Sequence, residues 1–221
     1  MGSITRSLSN NITTGGVILP AGITNSSVSA VTSFANASGA GTLVLLSTQT
    51  ASNSATISFT TGLDSTYDMY EFKFIDIHPR TDFVNFQFNG STDSGSNYNI
   101  TKTTTWFRGV QSEDAVTVPG EVGYDASEDL AQSTAFQTIF TIIGGNADEN
   151  GSGSLKLFNP SSTTYVKHFI SRCNYYHSSD LTVDLFLAGY LNTTSAINAI
   201  QFKMSSGNFD GIIKLYGVKK S

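Results

Sequence analysis

The stretch Asp68-Met69-Tyr70-Glu71-Phe72-Lys73-Phe74-Ile75-Asp76-Ile77 alternates rings with charges. Successive side chains of a strand point to opposite faces, so Tyr70, Phe72 and Phe74 share one face and Glu71 and Lys73 the other. Asp82 to Asn89 repeats the pattern, with Val84, Phe86 and Phe88 inward and Asn85 and Gln87 outward. From Ala199, Ile200, Phe202 and Met204 alternate with Gln201 and Lys203. Further strands are expected at 43–50, 55–60, 98–108, 135–143, 154–159, 164–174, 181–191 and 211–219, with Gly, Pro, Asn and Asp between them. Gly207-Asn208 reads as a tight hairpin turn joining the last two strands. The final strand, Ile212 to Val218, is apolar enough to be a central one. About eleven short strands without a long helix predict an all-β fold, an antiparallel β-sandwich of the jelly-roll type.

The 221 residues carry a net charge of -5, and only 13% are charged. Ser, Thr and Asn make up roughly a third of the chain, so hydroxyls and amides rather than ions solvate the surface. Hydrophobic residues still reach 39%, with 15 Phe and 9 Tyr, which is enough for a core. The 12 Lys and Arg are scattered, so no nucleic-acid partner is expected, because binding phosphate needs clustered basic residues. No apolar run is long enough for a membrane-spanning helix, and Met1 to Arg6 lacks the apolar core of a secretory signal. A single cysteine, Cys173, excludes an internal disulfide and reads as a small packed residue.

Two segments break the strand pattern. Residues 1–41 contain no Lys, Asp, Glu, Tyr or His, and their apolar patches (Val17-Ile18-Leu19; Val28, Val31, Phe34) are separated by glycines and Pro20. This is an extended N-terminal arm, with a short helix from Asn25 to about Asn36 and a linker from Ala35 to Gly41, preceding a domain at 42–221. It cannot bury a core alone, so its patches are expected to anchor on something else. The second segment, 109–134, holds six acidic residues (Glu113, Asp114, Glu121, Asp125, Glu128, Asp129) and reads as a solvated loop.

No nucleophile elbow, phosphate loop or zinc-protease helix motif occurs, so no catalytic, cofactor-binding or metal residues are assigned. His78 precedes Pro79 at a strand end. His168 shares a face with Val166 and Ile170 and reads as a core or interface histidine. His177 has Asp180 nearby, but a Ser-His-Asp set arises by accident in so hydroxyl-rich a chain. Asp148-Glu149-Asn150-Gly151 and the 109–134 carboxylates lack the spacing of a Ca²⁺ loop. Trp106-Phe107 and Tyr175-Tyr176 remain, and Trp106, Tyr175 and Tyr176 are candidate glycan contacts. The competing reading puts one ring of each pair in the core.

Three segments carry a family resemblance: Tyr67 to Pro79; Phe158-Asn159-Pro160-Ser161-Ser162-Thr163-Thr164-Tyr165-Val166; and Asn192 to Lys219, ending Phe209-Asp210-Gly211-Ile212-Ile213-Lys214-Leu215-Tyr216-Gly217-Val218-Lys219. They resemble virion structural proteins of marine tailed bacteriophages, including cyanophages, over most of 43–219. The resemblance implies a non-enzymatic place on the outside of a particle. The expected form is a fibre-like appendage held by its arm to other virion proteins, as a homotrimer, with host-surface glycans as an added partner. A capsid decoration protein is the second expectation; no coiled-coil heptad marks a fibre shaft. A glycan-active enzyme is a distant third, since neither a repeat period nor paired carboxylates on facing strands is visible.

Overall fold

Alternation of rings with polar residues favours strands that bury one face, and twelve such strands form in the computed structural model, which describes residues 43–218. In chain order they are β1 (Leu43–Ser54), β2 (Thr56–Phe59), β3 (Met69–Pro79), β4 (Val84–Ser91), β5 (Lys102–Ser112), β6 (Glu121–Tyr124), β7 (Gln137–Ile143), β8 (Gly151–Phe158), β9 (Lys167–His177), β10 (Leu181–Leu191), β11 (Ala199–Met204) and β12 (Phe209–Val218). No helix occurs among the described residues. The arm residues Val17, Ile18, Leu19, Val28, Val31 and Phe34 and the expected helix at 25–36 lie outside them.

Every pairing is antiparallel. β1 pairs with β12, β2 with β11, β3 with β8 and β4 with β7, the four rungs of one long ribbon. The ribbon wraps so that β12 also pairs with β3 and β11 with β4. The result is the two-sheet jelly roll expected from the sequence: β1-β12-β3-β8 facing β2-β11-β4-β7. Two hairpins are added to it. β9–β10, between β8 and β11, and β5–β6, between β4 and β7, extend the first sheet to β8-β9-β10-β5-β6. This extension curls over β7, touching it in register at Ile143 and His177, so the sheet nearly closes into a barrel.

The inward residues are the expected ones: Tyr70, Phe72 and Phe74 from β3, Val84, Phe86 and Phe88 from β4, and Ile200, Phe202 and Met204 from β11 are all buried. Rings from the two sheets meet edge to face, Phe72 with Phe202 at 5.2 Å and Phe74 with Phe86 at 5.4 Å between centroids. Each such pair adds about 0.5–1.5 kcal/mol beyond its burial. The extension joins the same core through Phe88–Phe169 and Phe140–Tyr175.

Two local expectations need correction. Gly207-Asn208 does turn sharply, with Gly207 at φ 72°, but β11 and β12 do not pair. The turn carries the chain from one sheet to the other, where each strand already has two partners. Segment 109–134 is not simply a solvated loop. β5 runs on to Ser112, β6 pairs with it, and the return leg is stitched to it by Trp106 N–H to Asp129 Oδ1 (2.7 Å) and Thr104 N–H to Leu130 O (2.9 Å). Residues 113–120 form the turn between them, closed around the Asp114 carboxylate by Ser112, Val116 and Thr117 and tied to Asp180 O by the Glu113 N–H. Beyond these, two lysines point inward. Lys102 and Lys167 are fully buried, and both sit in register with Leu191, one on each side.

The register sorts the connections between two ends. Leu43 pairs with Val218 at one end, the base, which also carries 60–68, 92–101, 159–166 and 192–198. The opposite end, the tip, carries 113–120, 144–150 and 178–180.

Candidate functional site

Because β9, β10 and β5 bury one face, the other face displays a regular array of side chains. At the tip, Tyr176, Thr182 and Gln111 lie in one cross-strand row. The next row runs Ser152, Asn174, Asp184, Gly109, Val122, and the one below it Ser154, Arg172, Phe186, Phe107, Tyr124. Toward the base come Ile170, Ala188 and Thr105, then His168, Tyr190 and Thr103.

Three concavities occupy this face. One of about 460 Å³ is lined by Gly109, Gln111, Glu121, Val122, Asn174, Thr182 and Asp184 among others. One of about 260 Å³ is lined by Asp148, Asn150, Ser152, Asn174, Tyr175, Tyr176 and Thr182. They share Asn174 and Thr182 and so form one trough at the tip. Nearer the base is a more apolar groove of about 530 Å³, over Thr103, Thr105, His168, Ile170, Ala188 and Tyr190. Between trough and groove, Phe107 and Phe186 stack in parallel at 4.8 Å and the Arg172 guanidinium covers Phe186 at 4.6 Å. Arg172 also binds Asp184 at 2.9 Å, which fixes both groups.

The trough is pre-shaped by bonds among its own residues. Asn174 Nδ2 donates to Thr182 Oγ1 (2.9 Å) and to Val183 O (3.1 Å), turning Asn174 Oδ1 outward as an acceptor. Tyr176 donates its hydroxyl to Asp180 Oδ1 (3.2 Å), which holds the half-buried ring at the rim. Ser152 Oγ accepts the Asp76 N–H (3.1 Å) and keeps its own proton free for another partner.

Two of the three candidate glycan contacts are corrected by this placement. Trp106 is fully buried and Tyr175 is 1% exposed, so neither ring reaches a ligand on the surface. Tyr175 instead bonds Thr141 Oγ1 at 2.8 Å inside the core. Their neighbours Phe107 and Tyr176 face outward, as strand alternation requires. Of these two outward rings, Tyr176 is the one that lines the trough. His168 is not a core residue: it is exposed on the outer face and packs against Tyr190 at 5.9 Å. The loops 113–120, 144–150 and 178–180 share the tip with the trough, while 92–101 lies at the base.

The other titratable groups singled out from the sequence bond within the fold. His177 is buried, and its Nδ1 accepts the Ser179 N–H (3.1 Å). Burial, and then the Arg108 charge, push its pKa down, against Glu149. The Asp180 carboxylate meets Tyr176. His78 Nδ1 bonds the Glu149 carbonyl at 2.6 Å. Cys173 is buried, with its thiol pushed up to about 12 by burial. Among the described residues, no three His, Cys, Asp or Glu side chains group as metal ligands would. Comparison with known protein families, with curated proteins and with solved structures finds no match to this chain.

The sequence reading missed Asn174, Thr182, Gln111 and Asp184. Their signal is present, since Arg172, Asn174 and Tyr176 alternate with Cys173 and Tyr175. That alternation names a solvent face without revealing which strands lie beside it.

Proposed function

We propose that this chain is a non-enzymatic structural protein on the outside of a tailed-phage virion, a fibre-like appendage that its N-terminal residues fasten to other virion proteins. The observation that carries this reading is the polarity of the domain. Residues 1–42 join it at Leu43, beside Val218, while the loops 113–120, 144–150 and 178–180 and the polar trough cluster at the other end. A domain fastened at its base presents that end outward. The sequence resemblance supports the same reading, and the jelly roll is an architecture that virion and carbohydrate-binding domains both use. The non-enzymatic part rests on where the candidate groups lie: His177 is buried against Ser179, Cys173 is a deeply buried thiol, and the carboxylates at the trough include one held by arginine.

A second reading, a decoration protein whose copies pack side by side on a shell, is favoured by the apolar groove over Ile170, Ala188 and Tyr190. A flank of this kind suits contact between neighbouring copies, in the trimer that either reading allows. Mass spectrometry of purified particles for this chain's peptides, followed by cryo-electron microscopy, tests both. Density at the tail with the tip pointing away supports the appendage. Density spread over capsomers, with neighbouring grooves in contact, replaces it with decoration. Absence of the chain from purified particles overturns both.

A further inference from the structure

We infer that the tip trough across β8, β9, β10 and β5 is a binding site for an uncharged oligosaccharide. The inference deepens the appendage reading and rests on it only for its biological setting. The chemistry of the lining selects the ligand. Asp148, Glu121 and Asp184 offer acceptors alone, and Asn174 offers its oxygen because its amide nitrogen is already engaged. The ligand must therefore bring many hydrogen-bond donors. Ser152, Thr182 and Asn150 add neutral groups able to donate or accept, which match hydroxyls that do both, and Gln111 adds its oxygen because its Nε2 is engaged by the Ser112 and Val118 carbonyls. The Tyr176 ring, fixed through Asp180, gives one apolar surface against which the C–H face of a sugar packs.

The alternatives fit less well. An anionic chain meets carboxylates, and Arg172, beside the trough, is already committed to Asp184 and Phe186. An apolar ligand would strip water from amides and hydroxyls and leave them unpaired. The floor accepts a bulky chain because Gly109 and Gly120 add no side chain to it. The shape is shallow and runs across several strands, which suits an extended oligomer rather than a single enclosed monosaccharide.

The test uses the full chain on an array of neutral oligosaccharides of glucose, galactose, mannose and N-acetylglucosamine, beside sulfated and uronic-acid counterparts, with spermine as a donor-rich cation. The best neutral binder is then titrated calorimetrically against wild type and variants. Expected is selective binding of neutral glycans, weakened about tenfold, or 1.4 kcal/mol, by either Asn174→Ala or Tyr176→Ala. Both side chains face outward, so thermal stability should hold. Thr105→Ala, in the apolar groove, should leave affinity unchanged. Binding confined to acidic glycans or to spermine overturns the inference. So does silence across the array, or binding that survives both substitutions. If the chain is absent from particles yet neutral glycans bind as described, the virion reading falls and this one stands.

Discussion

Lys102 makes stability depend on pH in a way that can be worked out from its surroundings. Its side chain is fully buried, and Nζ donates to Asn89 Oδ1 and to Ile100 O, each at 2.8 Å. Neither acceptor is a carboxylate, so burial alone acts on the charge and lowers the pKa from 10.5 to about 7. In the unfolded chain the amine keeps its proton up to the ordinary value. Between pH 7 and 10.5 the unfolded state therefore binds more protons, and stability rises with pH. Below pH 7 both states are protonated and the penalty is complete. At about 1.36 kcal/mol per pKa unit, the buried lysine costs about 4 kcal/mol at pH 7. The clean window is pH 7 to 9. Above pH 9 the buried Cys173 thiol, and above pH 10 Tyr70 and Tyr175, all pushed upward by burial, contribute in the opposite sense. Over that window Lys102 adds about 2 kcal/mol. Lys167, lowered by burial too, adds a gain of the same sign. Lys102→Met removes the first gain and keeps the second. Urea unfolding at pH 7, 8 and 9, followed by Trp106 fluorescence, should show wild type gaining about 2 kcal/mol more than the variant. The comparison of slopes is insensitive to the fixed cost of leaving the Ile100 carbonyl without its donor. Parallel pH profiles for the two proteins would refute the reasoning, because they would mean that the lysine keeps its charge at no cost.

Three further outcomes follow from the core. Gly153→Ala places a methyl 2.6 Å from the Arg172 carbonyl oxygen and from Cys173 Cα, against backbone that cannot give way. It should destabilise by about 1–3 kcal/mol, and an unchanged melting temperature would disprove the close approach of β8 to β9. Trp106→Ala should cost about 3–5 kcal/mol, and native Trp106 should resist acrylamide quenching; ready quenching would put the ring back on the surface. Cys173 should resist iodoacetamide at pH 8 in the native protein and react fully in urea, and fast native labelling would contradict its burial.

Period-two reading located the strands of the jelly roll because each of them packs one face on the core, and it marked β12 as central because that strand is apolar on a long run. Partner choice lies beyond such a reading. β1 and β12 stand at opposite ends of the described chain yet pair over their whole length, and β11 and β12, nearly adjacent in sequence, do not pair. Nothing local in Gly207-Asn208 distinguishes a hairpin from a step between sheets. Faces were misassigned for a different reason. In β9 the outward row includes Ile170 and the inward row begins with Lys167, so hydropathy at its N-terminal half points the wrong way and left His168 readable as a core or an interface histidine. Farther along, Phe169, Cys173 and Tyr175 set the true parity. The pairs Trp106-Phe107 and Tyr175-Tyr176 hold two rings each, so composition cannot say which enters, and only register with Leu187 and Val183 decides.

Eight of the twelve strands suffice for the jelly roll, and the candidate site belongs largely to the other four. β5–β6 and β9–β10 are inserted at two separate points in the chain, yet they become neighbours because β10 pairs with both β9 and β5. Their inner faces complete the core through Trp106, Phe169, Tyr175 and Leu185, which ties them rigidly to the scaffold. Their outer faces have no second sheet to satisfy and so are free to carry polar or apolar character as function demands. Along β10 that freedom is used both ways: Thr182 and Asp184 line the trough at the tip, and Ala188 and Tyr190 the apolar groove at the base. The inner residues of β10 answer to the core, while its outer residues change character along its length. The change falls at Phe186, where the stacked rings and Arg172 separate the polar trough from the apolar groove.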